Sequence, residues 1–294
     1  MKSGQATVLN KTATIFRMIK FEHSIFALPF AYMGAMLAVK GFPTFWQVLW
    51  ITVAMVGARS FAMSLNRLID KEIDARNPRT KERALPKSIL SGKDVVIFSL
   101  ISLIIFIVAV YNLAPLCRWL WPLFVMPFVF YPYTKRFTWF CHFFLGMCLG
   151  LAPIGAWVAA TNSISVEPIL LGLAVCFWVA GFDIIYACQD VEIDNKQKLY
   201  SIPTIFGIKK ALVITAILHV LSVIILLMVG ILSQLGLIYF IGLTIVALLL
   251  LYENKLVSPN DLSKLDAAFF TMNGIISVVM FFFTVLDFIM KIVI

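Results

Sequence analysis

Long apolar stretches joined by short polar segments run through the whole chain, and their spacing predicts nine membrane-spanning helices. These lie near 22–40, 44–68, 94–113, 118–133, 139–160, 167–187, 210–230, 234–251 and 266–290. The fourth is short and interrupted by Pro122, Pro127 and Pro132, each of which removes a helical hydrogen bond. No segment alternates with period two as a membrane β-barrel strand does, and backbone groups in lipid must bond within their own segment, so the fold class is all-α. The expectation is a polytopic membrane bundle of about nine transmembrane helices, forming one domain over residues 1–294. Residues 1–20 are polar and basic, without a small-residue cleavage site after an apolar run. They read as a cytoplasmic tail able to lie on the membrane surface, not as a signal peptide.

Composition sharpens this picture. The chain is 62% apolar and 13% charged, well outside the usual balance of a soluble domain. Cys117, Cys141, Cys148, Cys176 and Cys188 fall in or beside apolar segments with no C-x2-C pair, so free thiols are expected rather than disulfides or zinc. The net charge of +9 raises the question of nucleic acid, but its distribution answers it. With nine spans, every Lys and Arg except Lys40, Arg118 and Lys291 falls on one side of the membrane, counting Arg59 and Arg67 near the end of the second span with that side. The positive-inside rule makes that side cytoplasmic, which suits a bacterial inner membrane, and leaves no basic surplus to assign to nucleic acid.

Against this background two acidic clusters stand out. Asn66, Asp70 and Asp74 form N-x3-D-x3-D after the second span, and Asp183, Asp190 and Asp194 mark the end of the sixth. Steps of four stack side chains on one helical face, so each cluster presents a row of oxygens. Two carboxylates about 6 Å apart repel by roughly 3 kcal/mol at an effective dielectric near 20. A divalent cation relieves that conflict, and Mg²⁺ suits it because it takes one or two carboxylates and leaves its other positions to water and phosphate. Arg67, Lys71, Arg76, Arg79, Arg83, Lys135, Arg136, Lys196 and Lys198 lie near the same rim and could bind a diphosphate. The bland reading of one D-x3-D at a helix end is a solvated face or a cap; two on one side, one with Asn four residues ahead, favour a metal–diphosphate site. His23, near the start of the first span, reads as a base, a ligand or an interfacial residue paired with Glu22.

These stretches resemble the UbiA superfamily of intramembrane aromatic prenyltransferases. Asn66-x3-Asp70-x3-Asp74 followed by Ala75-Arg76-Asn77-Pro78-Arg79-Thr80 is similar to that family's first motif, and Tyr186-Ala187-Cys188-Gln189-Asp190-x3-Asp194 to its second. Tyr131-Pro132-Tyr133-Thr134-Lys135-Arg136-Phe137-Thr138 and Ser201-Ile202-Pro203-Thr204-Ile205-Phe206-Gly207 continue the likeness. The resemblance implies a helical bundle around a central cavity and Mg²⁺-dependent transfer of a polyprenyl group from its diphosphate to a small aromatic acid. It implies Asp70, Asp74, Asp190 and Asp194 as metal ligands, with Asn66 beside them. Arg136 would serve acceptor or diphosphate binding, with Lys135, Arg67 and Lys198 as further contacts, and Asp190 or the deeper Asp183 would steady the cation or accept the ring proton. The loop after Asp74 is closest to 4-hydroxybenzoate polyprenyltransferases of quinone biosynthesis. The first span, Phe21 to Phe30, looks more like a branch assigned to futalosine-route menaquinone synthesis, which leaves a naphthoate acceptor open.

Two other classes compete. A cation or metabolite transporter would need acids near mid-membrane and openings on both faces. A CDP-alcohol transferase would need a contiguous D-G-x2-A-R motif, which neither Asp70-Lys71 nor Asp183-Ile184 supplies.

Overall fold

The structure, a computed structural model, describes residues 8–19 and 26–293. In chain order its helices are α1 Val8–Met18, α2 Leu28–Val39, α3 Phe45–Ile69, α4 Lys71–Arg76, α5 Gly92–Tyr111, α6 Pro115–Thr134, α7 Cys141–Thr161 and α8 Val166–Ala187. They continue with α9 Val191–Lys196, α10 Ile202–Phe206, α11 Ile208–Leu232, α12 Leu237–Leu256, a π-helical stretch Ala267–Met272, and α13 Asn273–Val293. The all-α expectation holds.

Seven of these helices are long and apolar enough to cross a membrane. The other two expected spans are present in weaker form. Among the described residues the first apolar segment yields only the 12-residue α2, which at 1.5 Å per residue is about 18 Å, short of a hydrocarbon core of about 30 Å. The fourth is α6, 20 residues long with all three internal prolines. Nine spans is therefore an approximate count, and His23 and Glu22 lie outside the described residues.

Local chemistry sets the helix ends. Thr44 with Gln47 and Ser91 with Asp94 form capping boxes that start α3 and α5. Pro residues stand in the first turns of α2 and α6, where no backbone donor is needed. Hydrophobic attraction cannot hold helices together in lipid, so close backbone approach matters more. A Cβ on Gly150 of α7 would lie 2.3 Å from the Gly172 carbonyl oxygen of α8, and one on Gly146 would lie 2.3 Å from that of Cys176. Only glycine permits this α7–α8 contact.

Neighbouring helices pack in the order α3, α5, α6, α7, α8, α11, α12, α13, with α2 lying against both α7 and α13. The N-terminal segment is more than a tail. Ile15 and Met18 of α1 and Ile19 just after it are buried against Leu85, Leu90 and Val95, and Lys11 pairs with Asp94 at 3.2 Å. This docks α1 beneath the loop that follows the first acidic cluster.

Candidate active site

The two acidic motifs share one local design. Helix α3 ends at Asp70 (φ −92°, ψ 4°) and is followed by the six-residue α4, which carries Asp74. Helix α8 gives way to one 3₁₀ turn, Cys188–Asp190, and Asp190 (φ −101°, ψ 0°) precedes the six-residue α9, which carries Asp194. Across the first break the i to i−4 bonds survive: Asp70 N–H donates to the Asn66 carbonyl at 2.9 Å and Asp74 N–H to that of Asp70 at 2.7 Å. The four-residue step is thus kept through a change of direction. Helix α8 alone has 22 residues, about 33 Å at 1.5 Å each, which is enough to cross a hydrocarbon core of about 30 Å, so the residues from Cys188 onward are not needed for the span.

Both motifs line a single cavity of about 320 Å³, together with Asn66, Arg67, Asn77, Arg79, Arg83, Lys135 and Asp183. The loops that frame it are tied together. Gln197 donates its side-chain amide to the Ile73 carbonyl at 3.4 Å, and Tyr200 N–H donates to the Lys135 carbonyl at 2.7 Å.

Each carboxylate has a distinct setting. Asp70 is 3% exposed and accepts from Asn66 Nδ2 at 2.9 Å, Lys135 Nζ at 2.7 Å and Arg136 Nη2 at 3.3 Å. Asp74 accepts from Arg83 Nη1 at 2.7 Å, with Arg67 Nη1 at 3.9 Å. Asp190 accepts from Asn77 Nδ2 and Arg79 Nε, both at 3.0 Å. Arg79 also donates to Tyr186 Oη at 2.8 Å, with its guanidinium 4.9 Å from that ring's centroid. Asp194 has no ion pair among the described residues; burial, and next the charge of Asp190, push its carboxyl up to about 6. The Asp190 contribution, smaller than that of burial, is the like-charge conflict expected of a D-x3-D pair.

Two expected contacts do not materialise. Arg136 does not line the cavity: its guanidinium bonds the carbonyls of Pro132 at 2.7 Å and Ile69 at 2.9 Å and also Asp70, so it braces Asp70 from outside the lining. Lys198 is exposed, in a left-handed turn (φ 56°) just past α9, and does not line the cavity either. Arg67 does line it, and also donates to the Met18 carbonyl at 3.3 Å, which links the first motif to the last residue of α1.

Other contacts in the cavity were not legible in the sequence, although Arg79 stood among the expected rim cations. Asn77 and Arg79 reach across from the first loop to the second motif. His142 of α7 faces Asp183 at 2.7 Å (Nδ1 to Oδ2), and no spacing rule links residues 41 apart in the chain. Arg59 counted only toward charge topology, yet it is an ionisable residue within an apolar span, a signal that by itself points to function. It lines both the 320 Å³ cavity and a second cavity of about 170 Å³. The second cavity is walled by apolar side chains from α3, α5, α6 and α7, and the two also share Met63, Tyr131, Leu145 and Leu149. Its lining runs from Tyr131 to Cys117 along α6, about 21 Å at 1.5 Å per residue.

Among the described residues no three His, Cys, Asp or Glu converge closely enough to enclose a metal by themselves. The donor set nonetheless fits Mg²⁺ held jointly with a diphosphate, because that ion needs only one or two carboxylates from the protein.

The UbiA prenyltransferase family model matches residues 27–282. The chain belongs to this family. A curated relative, 4-hydroxybenzoate octaprenyltransferase of Xanthomonas oryzae pv. oryzae, is 30% identical over 81% of this chain and 80% of its own length. The enzyme of that name from Vibrio atlanticus is 29% identical over 62% of this chain and 64% of its own length. Among solved structures, the UbiA homolog of Aeropyrum pernix superposes with a TM-score of 0.83 at 30% identity, covering 90% of this chain and 98% of that one. A UbiA homolog of Archaeoglobus fulgidus, solved bound to DMAPP and Mg²⁺, shares the fold with a TM-score of 0.72 at 17% identity, over 94% and 99% of the two chains. As a UbiA-family protein this chain is an integral membrane prenyltransferase.

Proposed function

We propose that this UbiA-family chain transfers a polyprenyl group from its diphosphate to the ring of a small aromatic acid, 4-hydroxybenzoate first among the candidates, in quinone biosynthesis. One observation carries the reading: a polar cavity lined by two aspartate motifs and several cations adjoins a long apolar cavity, the two sharing Arg59, Met63, Tyr131, Leu145 and Leu149. A polyprenyl diphosphate has that same polarity, with an anionic head on an apolar tail. The acceptor rests on the names of the curated relatives.

Asp70, Asp74, Asp190 and Asp194 would hold Mg²⁺, with Asn66 beside them; that an Archaeoglobus homolog of the same fold binds Mg²⁺ supports a metal in this cavity. When bound, the ion supplies charge neutralisation for the departing diphosphate. The chain's own groups do the rest. Lys135, Arg79 and Arg83 now pair with aspartates and would turn to the diphosphate oxygens as the head group enters, so negative charge grows against fixed cations. The apolar cavity holds the tail and keeps water from the allylic cation. Arg59, where the two cavities meet, is placed to receive the acceptor's carboxylate, and Arg136 keeps Asp70 in place from behind. Asp183 accepts the proton lost by the ring. The charge asymmetry of the loops supports a cytoplasmic site at a bacterial inner membrane.

The test is purified protein in detergent or nanodiscs with labelled polyprenyl diphosphate, Mg²⁺ and a panel of hydroxybenzoate and naphthoate acceptors. Prenylated hydroxybenzoate is expected, and chelation should stop its formation. Transfer only to naphthoate would reassign the acceptor, and transfer that survives loss of both aspartate motifs would refute the mechanism. Counterflow of a solute in liposomes without any prenyl donor would favour a transporter instead.

A further inference from the structure

We propose that His142, fixed in a single neutral tautomer, is a positioning residue that aims Asp183 at the acceptor ring; the inference rests on the prenyl-transfer reading above. His142 stands in the first turn of α7 and is 2% exposed. Its Nε2 lies 3.3 Å from the backbone nitrogen of Ile202. A backbone N–H can only donate, so Nε2 accepts and carries no proton. The ring proton is then on Nδ1, which donates to Asp183 Oδ2 at 2.7 Å. With both nitrogens committed, the imidazole has no free lone pair with which to relay a proton. It can only orient.

What it orients is a carboxylate that, like Asp194, has no Lys or Arg ion pair among the described residues of the cavity. Asp70, Asp74 and Asp190 each meet Lys or Arg, whereas Asp183 meets neither among the described residues, and no hydrogen bond there reaches its Oδ1. Its side chain is 23% exposed and lines the polar cavity. It projects from α8 between Phe182 and Tyr186, both of which pack on Phe269 with ring centroids 5.2 Å and 4.1 Å away. A carboxylate oxygen in a cavity also lined by Phe182, Tyr186 and Phe269, a helical turn or two deeper than the Asp190/Asp194 motif, suits a base for a ring proton. Ile202 opens α10 directly after the loop of the second motif, so the same imidazole ties that loop to α7.

The step balances. The prenyl C1–O bond breaks with both electrons leaving on the diphosphate, and C1 bonds to the ring carbon ortho to the phenolic hydroxyl. The C–H bond at that carbon then breaks; its electrons restore the aromatic ring and its proton passes to Asp183 Oδ1. A positioned general base contributes on the order of 10²- to 10⁴-fold, and loss of its orientation costs roughly ten- to a hundredfold.

The experiment compares ordinary and ring-deuterated acceptor in the wild type and in Asp183→Asn, His142→Phe and His142→Asn, with KM measured for both substrates. Asp183→Asn and His142→Phe should lose kcat by the factors above, keep both KM values within about threefold, and show a primary isotope effect that the wild type lacks, because C–H cleavage has become limiting. His142→Asn keeps one donor and one acceptor and should recover most of kcat. Absence of the isotope effect in Asp183→Asn would overturn the proposal, as would equal impairment of the two His142 variants without it. If His142→Phe does not fold, the isosteric Asp183→Asn carries the test by the same criterion. A wild type that prenylates no acceptor removes the function and this inference together; an active wild type with an isotope-silent Asp183→Asn removes the inference alone.

Discussion

Arg79 Nε, in the loop after the first aspartate motif, lies 3.0 Å from Asp190 Oδ1 in the second. This bond joins two segments 111 residues apart and closes the first loop over the cavity from which a diphosphate would be bound. Its guanidinium also engages Tyr186, so one planar side chain fixes a carboxylate and a phenol at once. Arg79→Ala should raise KM for the polyprenyl diphosphate and lower kcat/KM roughly ten- to a hundredfold, with a smaller effect on the acceptor's KM. Arg79→Lys should rescue it only partly, since a point charge cannot reproduce the fork. Steady-state kinetics with each substrate varied in turn checks both.

Arg59 gives a prediction of the opposite polarity. Arg59→Leu should raise KM for carboxylated acceptors by about tenfold or more while leaving the donor's KM within about threefold. Binding of the two substrates, measured separately by titration, distinguishes this from general damage.

The apolar cavity can be shortened. Ala58 of α3 lines it, and Ala58→Leu fills part of a space of about 170 Å³. Turnover with long polyprenyl donors should fall, while a short donor such as geranyl diphosphate keeps most of its rate; overpacking itself should cost on the order of 1–3 kcal/mol of stability. Product analysis across a donor-length series is the measurement.

Asp194 links the site to stability. Its carboxyl is raised from 3.8 to about 6, so the folded chain holds that proton more tightly than the unfolded chain does. The contribution is full below the unfolded value and is lost as pH rises through the folded one. Asp194→Asn should therefore raise Tm relative to the wild type at about pH 7.5, and the difference should vanish at about pH 4. Mg²⁺ with pyrophosphate should raise the wild-type Tm at the higher pH and do so much less in the variant, because a bound cation relieves the same repulsion. Thermal unfolding in detergent at the two pH values, with and without ligand, checks this.

Fold class and the two motifs were legible in the chain because both are local. A run of apolar residues must form a helix wherever lipid denies its backbone any other partner, and a four-residue step faces one way on any helix. The bonds from Asp70 to Asn66 and from Asp74 to Asp70 preserve that step even where α3 breaks. At the first span the described residues carry the helix Leu28–Val39, and the expected start of that span lies outside them.

Tertiary structure alone decided which polar groups meet. Nothing in their spacing pairs Arg79 with Asp190 or His142 with Asp183, turns Arg136 onto Asp70 and two carbonyls, or leaves Lys198 outside the cavity. Hydrogen bonds and ion pairs act over about 3–4 Å, a distance set by how α3, α7 and α8 pack and by how the two loops cross their ends. Sequence periodicity specifies one face of one helix. It does not say which face of which other helix lies opposite.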